Sequence, residues 1–314
     1  MIREFRSADA TATVGLLTSQ FPAEEALMGS RPERFFKVME RVNRWDMRLV
    51  FALLRLGGRR VFQFLVYEDQ GRLVGTTLCT FPARAVYLSM VVVDPTARRR
   101  GYAKALLEQA RANARRMRRR YMVLDVLADN APARALYEGK LGYRPLRETN
   151  FMVRERPADL GPPAATLPAG IRPFRKSDTT PLVAIARRHT PSEVAEVIPV
   201  SRNIAGGSRT ENRIMGGESA AWVVDRGHGP EALISASSST DADAGNVSTP
   251  IVAETVDPTL VRELVRTALA WCGARGRVRA LSSVPRYNLT ARAALEAEGF
   301  RDALSVWTLY RPVE

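Results

Sequence analysis

The pattern Arg98-x-x-Gly101-x-Ala103 combines residue types and a spacing that suit the binding of a compact anion. It follows the strand-like run 85–93 and opens the helical run 101–117. The first backbone N–H groups of a helix have no partner inside the helix, and the helix dipole adds partial positive charge there. Small residues let a phosphate approach these N–H groups, and the three arginines before Gly101 add cationic charge. We therefore predict a site for a dianion such as a pyrophosphate.

A second stretch with chemical potential follows at 123–145, where a strand-like run leads into a helix. Asn130 precedes this helix and Tyr137 lies on it. Together the two stretches resemble the acetyl-CoA-binding motifs of the GNAT family of N-acetyltransferases, whose loop is written Gln/Arg-x-x-Gly-x-Gly/Ala. The resemblance covers residues 1–155 well and 170–314 more loosely. It implies transfer of an acetyl group from acetyl-CoA to an amine, carried by a small molecule or a peptide, by direct attack.

The resemblance also implies roles for individual residues. The backbone of Val91, Val92 and Val93, at the end of the strand, would hold the acetyl carbonyl and the pantetheine arm. Asn130 would hydrogen-bond the same arm, and Tyr137 would protonate the departing thiolate. The pyrophosphate would be wrapped by the loop and the start of the helix, which comprise Arg98, Arg99, Arg100, Gly101, Tyr102, Ala103 and Lys104.

The reaction moves two protons, so it needs an acid and a base. A phenol with an ordinary pKa of about 10 can protonate a thiolate, which suits Tyr137. The amine must lose a proton before it attacks, and the strand 85–93, where many family members carry a glutamate, has no acid. Asp125 on the next strand is the candidate base. The structural alternatives are an arginine partner for Asp125 and a half-buried position on the sheet for Tyr137.

The chain repeats one plan. The run 2-IREFRSAD-9 returns as 171-IRPFRKSD-178, and 93-VDPT-96 returns as 256-VDPT-259. Each longer run is strand-like and ends in polar residues that can cap a helix. These matches indicate an internal duplication, and we call its halves the first copy and the second copy.

The second copy has lost the residues that the chemistry needs. On the frame fixed by the repeated VDPT, the replacements are Val261 for Arg98, Glu263 for Arg100 and Leu264 for Gly101. Farther along the chain, Ser283 stands at the position of Asp125 and Leu295 at the position of Tyr137. Asn288 remains at the position of Asn130. We therefore predict that the second copy binds no acetyl-CoA productively and helps to shape the acceptor cleft.

The fold class follows from the order of the elements. Mixed strands and helices in this order predict an α+β protein with two tandem GNAT (acyl-CoA N-acyltransferase) folds, each a mixed, mostly antiparallel sheet flanked by helices. We place the catalytic domain at 1–155, a Pro- and Ala-rich linker at 156–169 and the degenerate domain at 170–314. The predicted strands are the hairpin 61–81, then 85–93, 121–127, 149–155, 219–225, 231–237, 247–256, 278–284 and 304–310. The predicted helices are 101–117, 131–141, 258–274 and 289–298, and the run 34–58 is also helix-like.

Charge favours an anionic partner for the first copy. The net charge is +14, and residues 1–155 hold 28 basic and 16 acidic residues against 19 and 17 in the remainder. The arginine-rich run 115–120 raises nucleic acid as an alternative partner, but it lacks the aromatic residues of a base-stacking surface and is typical of a solvated helix end. A second alternative is a CoA-binding or sensory module without catalysis.

The composition argues against several classes of protein, namely membrane-spanning, secreted, disulfide-linked and metal-binding proteins. No apolar run approaches the roughly 20 residues of a membrane span, and the N-terminus lacks the apolar core of a signal peptide. Two cysteines and two histidines offer neither a disulfide framework nor a metal-ligand spacing. We expect a cytoplasmic protein without metal or membrane partner. The sequence leaves its oligomeric state open. The acceptor would meet segments 20–58 and 200–218, with Trp45, Phe51 and Tyr87 nearby, but their pattern does not identify it.

Overall fold

The structure is a computed structural model of the 314-residue chain. It describes residues 1–18, 62–82, 84–161, 166–201, 204–205, 217–239 and 243–314. The predicted helical run 34–58, with Trp45 and Phe51, lies outside the described residues, as does most of 200–218.

The described residues form two compact units. The first unit contains those of 1–146 together with 307–314, and the second contains those of 147–306. The last eight residues of the chain therefore belong to the unit built by the first copy. The domain boundaries at 155 and 170 stay a prediction.

The helices and strands follow the predicted order. The strands are β1 (Ile2–Glu4), β2 (Phe62–Asp69), β3 (Arg72–Thr80), β4 (Ala85–Val93), β5 (Tyr121–Leu127), β6 (Arg144–Glu155), β7 (Ile171–Pro173), β8 (Gly217–Asp225), β9 (Pro230–Ser239), β10 (Ala244–Val247), β11 (Ile251–Val252), β12 (Arg279–Pro285) and β13 (Arg301–Pro312). The helices are α1 (Ala10–Thr18), α2 (Tyr102–Arg116), α3 (Ala131–Arg134), α4 (Thr179–Arg188), α5 (Ser192–Val197), α6 (Pro258–Gly273) and α7 (Leu289–Ala297). A π-helical segment, Ala135–Lys140, continues α3.

Each unit contains a mixed sheet of the same design. In the first unit the strand order is β1-β2-β3-β4-β5-β13. The pairs β1–β2, β2–β3 and β3–β4 are antiparallel, and the pair β4–β5 is parallel. In the second unit the order is β7-β8-β9-β10-β12-β6, and β10 and β12 form the parallel pair. The predicted class of mixed, mostly antiparallel sheets with flanking helices is confirmed.

One polar network shows the duplication directly. Arg3 donates two hydrogen bonds to the carboxylate of Asp9, at 2.7 and 2.9 Å, and a third to Glu68 at 2.7 Å. Asp9 also accepts from the Arg6 backbone N–H at 2.7 Å, so it closes the turn before α1. The second copy repeats this arrangement with Arg172, Asp178, Asp225 and the backbone N–H of Arg175.

The predicted single strand at 247–256 is wrong. The structure has β10 ending at Val247 and the short β11 at Ile251–Val252, with Pro250 between them. Proline has no N–H and interrupts a ladder of backbone hydrogen bonds, which explains the break. The predicted hairpin at 61–81 is confirmed, with Gln70 and Gly71 in the turn at φ of +50° and +77°.

Packing on α2 fixes the position of the loop that precedes it. Leu106, Leu107 and Ala110 face the sheet and are almost completely buried, in the same core as Leu88 and Leu124. This is the apolar stripe that the sequence predicts for the helix. The start of α2 is consequently held at the edge where β4 ends.

Candidate active site

Gly101 is the N-cap of α2 and has a left-handed backbone conformation, with φ of +85°. We call residues 98–101 the Gly101 loop. Glycine adopts this conformation without steric cost, whereas other residues rarely do. Within the described residues, no side chain caps the start of α2, so the backbone N–H groups of its first turn lie beside the loop. Arg98, Arg99 and Arg100 are all exposed there.

Asp94 is the acidic residue closest in sequence to the loop, and its charge is already engaged. Its carboxylate accepts from the N–H of Thr96 at 2.9 Å and from the hydroxyl at 2.6 Å, and it forms an ion pair with Arg72 at 2.6 Å. The hydrogen bond from Thr96, more than any other contact, lowers the pKa of Asp94. The carboxylate therefore caps the 3-10 turn Pro95–Ala97 and leaves the loop after it cationic.

Tyr102, the first residue of α2, connects the start of this helix to the turn of the β2–β3 hairpin. Its hydroxyl donates to Asp69 at 2.6 Å, and its ring centroid lies 4.4 Å from that of Tyr67. The hydrogen bond to Asp69 raises the pKa of Tyr102. Among the other residues of this stretch, Ala103 is half-buried and Lys104 is exposed.

A bulge and a divergence shape the end of β4. The parallel pairing of β4 with β5 ends, among the described residues, at Leu88 opposite Leu124. Beyond it the register against β3 shifts, and Met90 has a φ of +53°. A bulge of this kind bends a strand and redirects its backbone groups, and it is common beside active sites. The segment of β4 that includes Val91–Val93 thus borders an opening between the two parallel strands.

Sequence reasoning did not predict this bulge. The valine-rich run of β4 carries no glycine or other marker of a positive φ. The bulge becomes visible only in the pairing with β3, where Thr76 lies opposite Val92 but Leu78 lies opposite Ser89.

Asp125 lies one residue beyond the last β4–β5 pair, and both of its carboxylate oxygens are hydrogen-bonded. The Tyr87 hydroxyl donates to one oxygen, and the Thr308 hydroxyl donates to the other at 2.7 Å. Asp125 itself is exposed, while Thr308 is 1% exposed. Its described partners are therefore hydroxyl groups and not the arginine of the structural alternative. Thr308 was missed from sequence, because 183 residues separate it from Asp125.

Tyr137 lies in the π-helical segment and is 7% exposed. It packs in the core that contains Leu124 and Val126, with its ring centroid 6.0 Å from that of Tyr143. Burial raises the pKa of Tyr137 to about 12, so the phenol keeps its proton at neutral pH. Since side chains alternate along a strand, Asp125 points to the opposite face of β5 from Leu124 and Val126. The two candidate proton-transfer groups thus lie on opposite faces of the sheet.

Asn130 caps α3, accepting from the backbone N–H of Ala133 at 3.2 Å. In the second copy Asn288 caps α7 in the same way, from Ala291 at 3.1 Å. This shared role is sufficient to explain why the asparagine is present in both copies. A hydrogen bond from Asn130 to a pantetheine arm stays a prediction.

In the second copy, a continuous helix occupies the positions that correspond to the Gly101 loop. This helix, α6, begins at Pro258, directly after Asp257, whose carboxylate accepts from the Thr259 N–H at 2.8 Å. Residues that would form the loop are wound into the helix, where Leu264 is 0% exposed and Val261 is 2% exposed. The start of this helix already has an anionic cap.

The donors around the Gly101 loop fit the pyrophosphate of a coenzyme A thioester. They combine the backbone N–H groups at the start of a 15-residue helix, one residue with φ of +85°, and three exposed guanidinium groups. These are the groups that bind phosphates at helix N-termini. The described part of the chain contains no group of three or more His, Cys, Asp and Glu that could hold a metal ion, and no helix long and apolar enough to cross a membrane.

Residues 24–143 match the family model of the acetyltransferase (GNAT) family. The chain carries a GNAT-family acetyltransferase domain. The match includes the Gly101 loop, the diverging strands and Tyr137, and it identifies this part of the chain as an acetyltransferase domain by family. No curated protein sequence matches the chain.

Solved structures extend the likeness to both units. A tandem GNAT protein from the clavulanic acid biosynthesis pathway, solved without acetyl-CoA, is 18% identical with a TM-score of 0.58, and the match covers 81% of this chain and 83% of that one. A GCN5-related N-acetyltransferase from Sphaerobacter thermophilus is 17% identical with a TM-score of 0.64, covering 100% of this chain and 96% of that one. At these identities the likeness is one of fold, and it confirms the predicted tandem GNAT architecture.

Proposed function

We propose that the first unit transfers an acetyl group from acetyl-CoA to an amine by direct attack. One observation carries the proposal: the start of α2, with Gly101 at φ of +85° and three exposed arginines, adjoins the opening between β4 and β5. A phosphate-binding helix start therefore lies beside an edge of strand backbone that can hold the arm of the same ligand.

The residues of this edge have separate tasks in the proposal. The Gly101 loop and the N–H groups of Tyr102, Ala103 and Lys104 hold the pyrophosphate. The backbone of Val91–Val93 holds the arm and the acetyl carbonyl, assisted by the amide of Asn130. The thioester supplies the activated acyl carbon, and this placement brings it to the opening that Asp125 and Tyr137 flank.

Proton transfer is divided between the two faces of the sheet. Asp125 accepts the proton of the attacking amine, whose nitrogen forms the new bond to the acyl carbon as the carbon–sulfur bond breaks. Tyr137 donates its phenolic proton to the departing sulfur. Separate faces allow the acceptor to enter on one side of the opening while the coenzyme occupies the other.

The high pKa of Tyr137 is compatible with this role. Burial raises the pKa of the Cys79 thiol to about 12 in the same core, which shows how strongly an apolar surrounding disfavours a thiolate. An apolar surrounding beside Tyr137 likewise disfavours a coenzyme thiolate, which favours transfer of the phenolic proton to the sulfur.

We further propose that the second unit has no acetyl-CoA site and serves as a structural partner. Its helix start is capped by Asp257, and an anion there would face a carboxylate. Leu264 and Leu295, at the positions of Gly101 and Tyr137, are both 0% exposed and belong to its core.

Release of free thiol from acetyl-CoA, measured against a panel of amines and peptides, tests the activity. We expect release that depends on an added amine and that falls in Tyr137→Phe while acetyl-CoA binding is retained. Acetyl-CoA binding without thiol release for any acceptor would instead indicate a non-catalytic CoA-binding module. Full turnover in Tyr137→Phe at neutral pH would remove Tyr137 as the acid.

A further inference from the structure

The C-terminal strand contributes a side chain to the first unit beside the proposed base. β13 from Trp307 onward belongs to this unit and is the neighbour of β5. Thr308 lies on this part of β13, is 1% exposed, and donates its hydroxyl hydrogen to Asp125 across 2.7 Å. We propose that Thr308 is a positioning residue for Asp125, so that the last strand of the chain completes the active site of the first copy. This inference rests on the proposed function of Asp125.

The geometry explains why Asp125 needs such support. An aspartate is one methylene shorter than the glutamate that many GNAT proteins use, so its reach into the opening depends on its rotamer. The side chain is exposed, and hydroxyl groups from two neighbouring strands hold its two oxygens, Tyr87 on one side and Thr308 on the other. A carboxylate offers about four lone-pair positions, so two donors fix its orientation and leave room for an amine.

The strand that carries Thr308 is firmly attached to the first unit. Arg311 forms an ion pair with Glu108 of α2 at 3.0 Å, and the backbone N–H of Val313 donates to Arg120 at 2.8 Å. The ring of Tyr310 meets Tyr121 of β5 edge to face, with centroids 6.1 Å apart. These contacts hold the hydroxyl of Thr308 at a defined place relative to β5.

The second unit lacks both members of the pair. Ser283 stands at the position of Asp125, and its partner in the neighbouring strand β6 is Phe151, which has no hydroxyl group. The first unit thus has the carboxylate together with a hydroxyl donor on the neighbouring strand β13. At the matching positions of the second unit, on β12 and β6, both groups are absent.

Steady-state kinetics on the full chain tests the inference through Thr308→Val, which keeps the shape of the side chain and removes the hydroxyl. We expect kcat to fall on the order of tenfold, as for a slightly misplaced catalytic group, with the KM for acetyl-CoA and the melting temperature close to the parent values. Thr308→Ser restores the donor and should recover kcat to within about twofold. Thr13→Val is the matched control, since Thr13 is a 0% exposed threonine of the first unit whose hydroxyl has no hydrogen-bond partner among the described residues.

A double-mutant cycle separates this inference from the function it rests on. In an Asp125→Asn background, Thr308→Val should cause no further loss of kcat, because the hydroxyl acts through the carboxylate. A normal kcat in Thr308→Val beside an inactive Asp125→Asn overturns the positioning role and leaves Asp125 as the base. A fully active Asp125→Asn overturns the assignment of the base, and the role of Thr308 with it. Equal losses of kcat in Thr308→Val and Thr308→Ser would also overturn the positioning role of Thr308.

Discussion

Replacing Gly101 by alanine tests whether this glycine is needed only for its backbone conformation or also for binding acetyl-CoA. Gly101 has a φ of +85°, and a Cβ added there meets no atom of the described residues within 4 Å. The cost to folding is therefore conformational strain alone, about 1–2 kcal/mol for an alanine in the left-handed region. Gly276, in the second unit, has a φ of +67° and equally open surroundings, so Gly276→Ala is a matched control.

The two variants should differ in binding although they share the strain. The methyl group of Gly101→Ala stands where a phosphate must approach the first N–H groups of α2. Losing one hydrogen bond to a charged oxygen costs about 1.5–3 kcal/mol, which corresponds to a Kd for acetyl-CoA about 10- to 150-fold higher. Gly276→Ala should leave this Kd unchanged.

Two assays on the same preparations give the answer. Denaturant unfolding measures the free energy of unfolding, which should fall by a similar amount in both variants. Titration calorimetry measures the Kd for acetyl-CoA. If Gly101→Ala binds acetyl-CoA as tightly as Gly276→Ala does, the Gly101 loop is not the phosphate site and the reasoning is refuted.

Three further predictions concern charge and the second copy. Exchange of the arginines at 98–100 for glutamine should weaken acetyl-CoA binding on the order of tenfold and flatten its dependence on salt, as measured by titrations at two ionic strengths; an unchanged salt dependence contradicts their role. Leu264→Ala should lower the free energy of unfolding by about 2–5 kcal/mol without changing the Kd for acetyl-CoA, since Leu264 is a core residue and not part of a site. Asp178→Asn should cost about 1.5–3 kcal/mol of stability at pH 7, because it removes the more deeply buried of the two carboxylates that Arg172 contacts and leaves Asp225 as its remaining ionic partner. Arg172 lowers the folded-state pKa of Asp178, so the contribution is present above the unfolded pKa of about 3.9 and disappears as the pH falls through the folded value; a difference between the two proteins that stays constant down to pH 2 contradicts the pairing.

The parts of the site that could be predicted from sequence are those set by local interactions. The Gly101 loop needs only a strand, a glycine and an amphipathic helix in order, and all three are visible within residues 85–117. The caps made by Asp94 and Asn130 also act over two or three residues. Such contacts depend on neighbours in the chain, which a sequence shows directly.

The remainder depends on contacts between distant segments. The bulge at Met90 arises from the register against β3, and the hydroxyl of Thr308 reaches Asp125 through the partnership of β13 with β5. A strand pattern predicts which face of a strand is buried, but it does not specify the neighbour at its edge. The exchange that gives residues 307–314 to the first unit was therefore outside the reach of sequence reasoning.

The stoichiometry of acetyl-CoA binding to the full chain tests the central claim most directly. We predict one site per chain in titration calorimetry, and loss of that site in Gly101→Glu but not in Gly276→Glu. Absence of binding would contradict a coenzyme site at the Gly101 loop. Two sites per chain, or one site that survives Gly101→Glu, would contradict the assignment of the site to the first unit alone.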